Sequence, residues 1–250
     1  MYINNLATIL MLKNENRYIY GENDIKPNKT MLEEQLDFLK FSEKVYILDG
    51  GSTDGSLDIY KKYDNTVVYN QNFPYNENKC LNFLLEKVKS NKHKYMLYLD
   101  GDEILEKSSI EYIIDFLSSN DKSEYFTIRF NYINLWRSRL KYRKDKWYNS
   151  ESGKFFSVKP NLISYGTEFN NHYFVYGKNF DFGDIYYSGK RVIHYAWVDW
   201  NHILKKYNKC VENEIKYNKT SFKEASEMYK IILDESDIIL EDVDKEWFNE

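Results

Sequence analysis

Tyr95-Met96-Leu97-Tyr98-Leu99-Asp100-Gly101-Asp102-Glu103 is the stretch that decides the fold. Its first five residues are apolar or aromatic without alternation, as in a strand covered on both faces, and the acidic turn behind them marks the strand's exit. Working outward, Thr8–Leu12, Lys44–Leu48 and Thr66–Tyr69 have the same character. The segments between them are amphipathic. Thr30-Met31-Leu32-Glu33 predicts a capping box opening a helix to about Phe41, with Met31, Leu32, Leu36 and Leu39 on one face. Asp54 or Ser52 predicts the cap of a helix through Tyr63, and Leu81, Leu84, Leu85 and Val88 give helical spacing to Asn78–Val88. Strands alternating with helices make a parallel sheet with helical cover.

Beyond the acidic turn, Ser108–Leu117 predicts a helix and Tyr125–Ile133 a strand. From Trp136 to Arg191 the chain is rich in Gly, Asn and aromatic residues, with short strands expected at Asn161–Ser164 and His172–Tyr176, the pattern of an antiparallel half. Helices are expected again at Trp200–Tyr217 and Phe222–Asp234, before an acidic segment holding Ile238, Leu240 and Trp247. These last helices are expected to pack on the core or to form a protomer contact. There is no internal repeat.

At 250 residues the chain can bury one substantial core. A net charge of -4 argues against broad electrostatic binding of nucleic acid, which requires a surplus of Lys and Arg. One local exception is Arg137–Lys146, flanked by Trp136 and Trp147, which reads as a solvated face or as a contact for an anionic acceptor. Aromatic residues make up 18% of the chain, 24 of them Tyr, but Asn, Lys and Ile are abundant as well, so the excess reflects codon bias and locates no site. Cys80 and Cys210 lack metal-type spacing and fit a reduced cytoplasmic setting, or the host cytoplasm for a viral protein. The longest apolar runs fall short of the roughly 20 residues a membrane helix needs, so a soluble protein is expected, with peripheral membrane association left open.

Three strand exits carry candidate chemistry, because open parallel sheets bind ligands at the carboxyl ends of their strands. Asp100 and Asp102, two apart around a glycine that lets the backbone turn closely, can share a hard divalent cation, one of them directly and the other through water or a ribose hydroxyl. Such an ion would neutralise a departing nucleotide diphosphate; alone, the tetrapeptide is equally a plain acidic turn. Asp49-Gly50-Gly51-Ser52-Thr53-Asp54-Gly55 offers short acceptors for a base or ribose, or simply a helix cap. Lys13-Asn14-Glu15-Asn16 follows the first strand, where Glu15 could accept from ribose hydroxyls or sit in a polar loop.

The order Thr8–Glu15, Leu48–Gly55 and Tyr95–Leu105 resembles family 2 glycosyltransferases of the GT-A fold, and within them the branch with a Lys-Asn-Glu first motif that includes lipopolysaccharide-core sugar transferases. The resemblance covers residues 6 to 118. It implies that Glu15 and Asp49 bind the uridine or ribose of the donor, with Asp54 in the same turn, that Asp100 and Asp102 form the metal-diphosphate motif, and that Lys79 or Asn82 lies near the family's Arg-Asn pair. Downstream, Arg191-Val-Ile-His194-Tyr195 followed by Lys205-Lys206-Tyr207 is similar to the family's apolar-His segment with its later Lys, which implies His194 in the metal shell. Asn171-His172-Tyr173 falls where the branch has Val-His-Glu, and the Glu is absent. Glu168 and His172 are therefore the candidates for the catalytic base, with Asp199 and Asp181 behind them.

The expected protein is an α/β chain of GT-A type. Its glycosyltransferase domain is placed at 1–199, divided into a nucleotide-sugar half (1–118) and an acceptor-facing half (119–199), with a helical extension at 200–250. The expected reaction is metal-dependent, inverting transfer of a hexosyl group from a UDP-sugar with Mn2+ or Mg2+. The acceptor is a glycan, lipid-linked or protein hydroxyl, and a homodimer is left open. The alternatives are a sugar-nucleotide nucleotidyltransferase, although Leu10–Asn16 lacks the glycine-rich phosphate loop that it needs, and an inactive GT-A-fold glycan-binding protein. A DNA-base glycosyltransferase is a third, disfavoured by the acidity.

Overall fold

The computed structural model describes residues 2–70, 77–145, 150–165, 174–177 and 183–248. Its first unit is β1 (Ile3–Leu12), α1 (Met31–Phe38), β2 (Ser42–Asp49), α2 (Ser56–Tyr60), β3 (Thr66–Asn70), α3 (Glu77–Ser90) and β4 (Tyr95–Tyr98). β1 lies parallel between β2 and β4, and β3 extends the sheet beyond β2. Side chains alternate between two cores. Leu6, Leu10, Val45, Ile47, Leu97 and Leu99 pack toward α1 and α2, while Ala7, Ile9, Tyr46, Leu48 and Met96 pack onto Leu81, Leu84, Leu85 and Val88 of α3. A strand covered on both faces has no polar side to display, which is why these runs read as continuously apolar.

The predicted capping box is present: Thr30 accepts from the Glu33 N–H, and the Glu33 carboxylate accepts from the Thr30 N–H. The helix expected to run to Tyr63 is shorter than predicted. Gly55, at φ +88°, takes the cap position, and α2 spans only Ser56–Tyr60.

The chain then crosses the edge of the sheet through Leu99–Asp102 and enters β5 (Glu103–Leu105), α4 (Ser108–Ser118), β6 (Phe126–Asn134), β7 (Lys141–Arg143), β8 (Glu151–Ser157), β9 (Leu162–Tyr165), β10 (Phe174–Gly177) and β11 (Asp184–His194). One eight-stranded sheet results, ordered β3-β2-β1-β4-β8-β6-β11-β5. β8 is antiparallel to both of its neighbours and β5 is antiparallel to β11, while the other six strands share one direction. β8 and the long β11 fall in the region expected to hold short strands and loops. The described part of the expected His172–Tyr176 strand begins at Phe174 and pairs with β9.

The remaining residues form α5 (Trp200–Asn218), α6 (Phe222–Tyr229) and β12 (Leu240–Asp242), which pairs antiparallel with β7. This pairing revises the reading of the basic stretch. Arg137 bonds Glu235 at 2.8 Å, Lys141 bonds Asp242 at 2.9 Å and Lys144 bonds Glu241, while Arg139 forms a two-pronged pair with Glu34. The described basic side chains are thus matched within the molecule, mostly by the acidic C-terminal segment, rather than presented to an anionic acceptor. Asp24 fastens the loop after β1 to the same strip, accepting from Gly21 N at 2.8 Å, Ser138 Oγ at 2.5 Å and Arg139 N at 2.6 Å. Among the described residues no helix is long and apolar enough to cross a membrane. Cys80 and Cys210 are not disulfide-bonded.

Candidate active site

Because six strands run the same way, their carboxyl ends collect on one edge: Leu12, Asp49, Tyr98, Asn134 and His194 all close strands there. In register, His194 pairs with Asn134 on one side and with Glu103 on the other. The turn Asp100-Gly101-Asp102 crosses this edge. Gln35 of α1 clamps it from below, donating through Nε2 to the carbonyls of Asp100 (2.7 Å) and Glu103 (2.8 Å). A Cβ on Gly101 would lie 2.8 Å from Leu12 Cδ2 and 3.0 Å from Glu15 Cγ, so the glycine lets the turn close on Glu15.

The two loops from β1 and β2 are joined. Asn14 N–H donates to Ser52 Oγ (2.9 Å), Thr53 N–H to Asn14 Oδ1 (2.8 Å), and Asn16 donates from its N–H to the Asp54 carboxylate and from its side chain to the Asp54 carbonyl, both at 2.8 Å. Burial pushes the Asp54 carboxyl up, but hydrogen bonds from the Ser56 hydroxyl and the Ser56 and Asn16 N–H groups outweigh it and hold it below the usual carboxylate range. Asp49, expected at the donor's uridine or ribose, is fully buried. Its oxygens accept from Gly51 N (2.9 Å), Ser52 N (2.7 Å), Ser52 Oγ (2.7 Å) and Tyr60 OH (3.0 Å). A carboxylate has about four lone-pair positions, so Asp49 is committed to shaping the loop.

Glu15 is ion-paired with Arg17 at 3.0 Å. Burial raises its carboxyl, Arg17 opposes this and the neighbouring Asp102 adds to it, with a net upward shift. Asp102 Oδ1 faces His194 Nε2 at 3.6 Å. Burial pushes the Asp102 carboxyl up, but His194, Lys206, Arg17 and His202 together hold it below its ordinary value. His194 Nδ1 bonds Asn134 Oδ1 at 2.7 Å, which assigns the proton to Nδ1 and leaves the Nε2 lone pair facing Asp102. Burial depresses this imidazole to about 4, so it is neutral at pH 7.

Asp100 is turned elsewhere. Its Oδ1 accepts from Tyr98 OH at 2.9 Å, and its Oδ2 lies 4.0 Å from Lys154 Nζ. Lys154, on β8, is 5% exposed and bonds Glu103 at 2.6 Å, and Glu103 also accepts from the Asp100 N–H (3.0 Å) and from Tyr132 OH. Burial pushes the Lys154 ammonium down, yet Glu103, Asp100 and Asp102 outweigh it and hold it above the usual lysine range.

The expected cation ligands are therefore only partly gathered. Asp102 and His194 fit: a carboxylate and a neutral imidazole face each other, and Asn134 orients the ring by accepting from Nδ1 on its far side. Asp100 does not join them, because Tyr98 and Lys154 engage its two oxygens. Among the described residues no three His, Cys, Asp or Glu side chains converge as a metal cluster. Lys79 is in the first turn of α3 with an exposed side chain. Glu168, His172 and Asp181 lie outside the described residues, and Asp199 caps α5 by accepting from Asn201 N at 2.8 Å and His202 N at 3.2 Å.

The sequence did not point to Lys154, Arg17 or His202. The last has a signal, since His202 and Lys206 are four apart on α5 and so share a face, and both act electrostatically on Asp102. Burial, with Arg17, depresses His202 to about 4.

The sequence profile described as glycosyl transferase family 2 matches residues 28–213, more than half of the chain, beginning after the Glu15 motif. No curated protein sequence matches. Solved structures that align with parts of the chain include S. aureus TarS 1-349, at 19% identity over 54% of this chain and 36% of that one (TM-score 0.39). The same TarS fragment in complex with UDP aligns at 21% identity over the same shares (TM-score 0.39). HddC from Yersinia pseudotuberculosis aligns at 13% identity over 84% of this chain and 99% of that one (TM-score 0.42). The chain spans about a third of the length of the TarS fragment.

Proposed function

This chain belongs to glycosyl transferase family 2, and from that premise we propose that it transfers a hexosyl group from a UDP-sugar to an acceptor hydroxyl, with inversion and with the help of Mn2+ or Mg2+. The observation that carries the metal-dependent reading is the Asp102–His194 pair on the edge where six strands end. Asp102 and His194 are the residues that would hold the cation, and a bound divalent ion supplies positive charge to the diphosphate as it leaves.

The remaining work falls to the chain's own side chains. Glu15, braced by Arg17, accepts from the donor's ribose, while Asp49 and Asp54 set the shape of the loop that receives the nucleoside. Asp100 accepts from a donor hydroxyl through its solvent-facing side. Arg17, Lys206 and Lys79 provide cationic surroundings for the diphosphate, worth most where water is excluded. The acceptor oxygen forms its bond to the anomeric carbon as the bond from that carbon to the diphosphate oxygen breaks. The hydroxyl proton passes to Glu168 or His172, the groups assigned as base, and UDP departs. A glycan, lipid-linked or protein hydroxyl is the acceptor, and a homodimer and a cytoplasmic setting accompany this reading.

Calorimetry with UDP and Mn2+, followed by a screen of UDP-sugars for slow hydrolysis, tests it. Binding together with hydrolysis that Asp102→Ala abolishes supports the reading. Binding without turnover for any donor would leave a glycan- or nucleotide-binding protein, and the absence of both sinks the proposal.

A further inference from the structure

Three carboxylates occupy four consecutive positions at the acidic turn, yet only Asp102 faces His194. The group that divides them is Lys154. Its ammonium is 5% exposed, 2.6 Å from Glu103 and 4.0 Å from Asp100 Oδ2, and it lies over the rings of Tyr98 (5.1 Å) and Tyr132 (5.7 Å). The same two tyrosines donate to the carboxylates beside it: Tyr98 to Asp100 and Tyr132 to Glu103. Lys154 is thus a resident cation, caged by aromatic rings, that draws Asp100 and Glu103 to its own side of the turn. Asp100 nevertheless stays 49% exposed, so once that attraction is gone the single Tyr98 hydrogen bond at 2.9 Å is what a bound cation must outcompete to turn its carboxylate.

We propose that Lys154 is a positioning residue that keeps Asp100 out of the metal shell, limiting the protein to two ligands so that firm cation binding depends on the nucleotide diphosphate. A hard divalent cation held by a carboxylate and an imidazole still needs most of its coordination filled, and diphosphate oxygens fill it. Cation and nucleotide then arrive and leave together, and the protein retains little affinity for the ion between turnovers. The inference rests on the metal-dependent reading above.

The prediction is a gain of binding. Lys154→Met removes the cation facing the ion and releases Asp100 as a third ligand, and both changes act through Coulomb attraction in the same direction. Mn2+ binding is followed by electron paramagnetic resonance on the full chain, without nucleotide and with UDP. Wild type is expected to bind weakly alone and far more tightly with UDP. Lys154→Met is expected to bind Mn2+ alone at least about tenfold more tightly, with a correspondingly smaller enhancement by UDP. Lys154→Arg, which keeps the charge, should stay within about threefold of wild type.

Because Lys154→Met strands buried Glu103, Glu103→Gln/Lys154→Met repeats the test in a charge-balanced background with the same gain expected. Unchanged or weaker Mn2+ binding in whichever variant folds, with native circular dichroism, overturns the proposal and returns Lys154 to a purely structural role. Tight Mn2+ binding by wild type without UDP overturns it too. If wild type binds UDP in EDTA but never binds Mn2+, the inference and the metal dependence fall while the transferase reading stands. If UDP does not bind under any condition, the donor assignment itself has failed.

Discussion

The neutral state of His194 makes stability depend on acid in a calculable way. The imidazole is 8% exposed, bonded to Asn134 at 2.7 Å and lies with its ring centroid 5.0 Å from that of Tyr132 and 6.3 Å from that of Trp197. Burial holds it at about 4 in the folded chain, against an ordinary value of 6.5. A folded value below the unfolded one means that the unfolded chain takes up the proton first, so stability is complete above pH 6.5 and declines as pH falls toward 4. At pH 5.0 the loss from this one group is about 2 kcal/mol, and it levels off near about 3 kcal/mol below pH 4. Urea unfolding in EDTA at pH 7.5 and 5.0, on wild type and His194→Gln, isolates the effect. The drop between the two pH values should be about 2 kcal/mol smaller in the variant, whatever its stability at pH 7.5. Equal drops would refute the reasoning, because they would mean that His194 carries its proton at pH 5 as readily folded as unfolded.

Other expectations follow from specific contacts. Gly101→Ala puts a methyl 2.8 Å from Leu12 Cδ2 and 3.0 Å from Glu15 Cγ; calorimetry should show weaker UDP binding, while the melting temperature moves little because both neighbours are movable side-chain atoms. Asp24→Ala removes acceptors for Gly21, Ser138 and Arg139 and should lower unfolding free energy by about 1–3 kcal/mol in urea titrations. Raising NaCl from low to high concentration should lower the melting temperature by less than about 3 °C through the Arg137, Lys141 and Lys144 pairs. Glu235→Gln/Glu241→Gln/Asp242→Asn should erase that salt dependence, and its persistence would place the effect elsewhere.

The first half of the sheet was legible because each strand there is buried on both faces and each helix carries one apolar stripe, so local pattern and final environment agree. The Thr30 box was readable for the same reason: both partners lie within four residues. β8 was not readable. Gly153 and Lys154 make Glu151–Ser157 look solvent-facing, and only Glu103, fifty-one positions earlier, explains how a lysine is buried there. β11 was obscured by Ser188-Gly189-Lys190, where Gly189 at φ +66° accompanies a register shift against β6. In the site, the sequence located Asp100, Asp102 and His194 on the right edge, but side-chain direction lay beyond it. Asp49 reads as a ligand contact until its four hydrogen bonds are seen, and the basic strip reads as an open surface until the acidic segment that neutralises it is in place.

The hydrogen bonds that join Asn14 to Ser52 and Thr53, and Asn16 to Asp54, bind two stretches of chain into one heritable unit. Neither stretch can be exchanged alone: a replacement at 14 strands a donor at 53, and one at 54 strands the Asn16 N–H. Substitutions across the pair should be strongly non-additive, so a second change can be tolerated only after the first. Anyone grafting the Asp49–Gly55 loop to alter nucleotide choice would have to carry Lys13–Asn16 with it, and in a lineage the two segments should vary in step although thirty-odd residues lie between them.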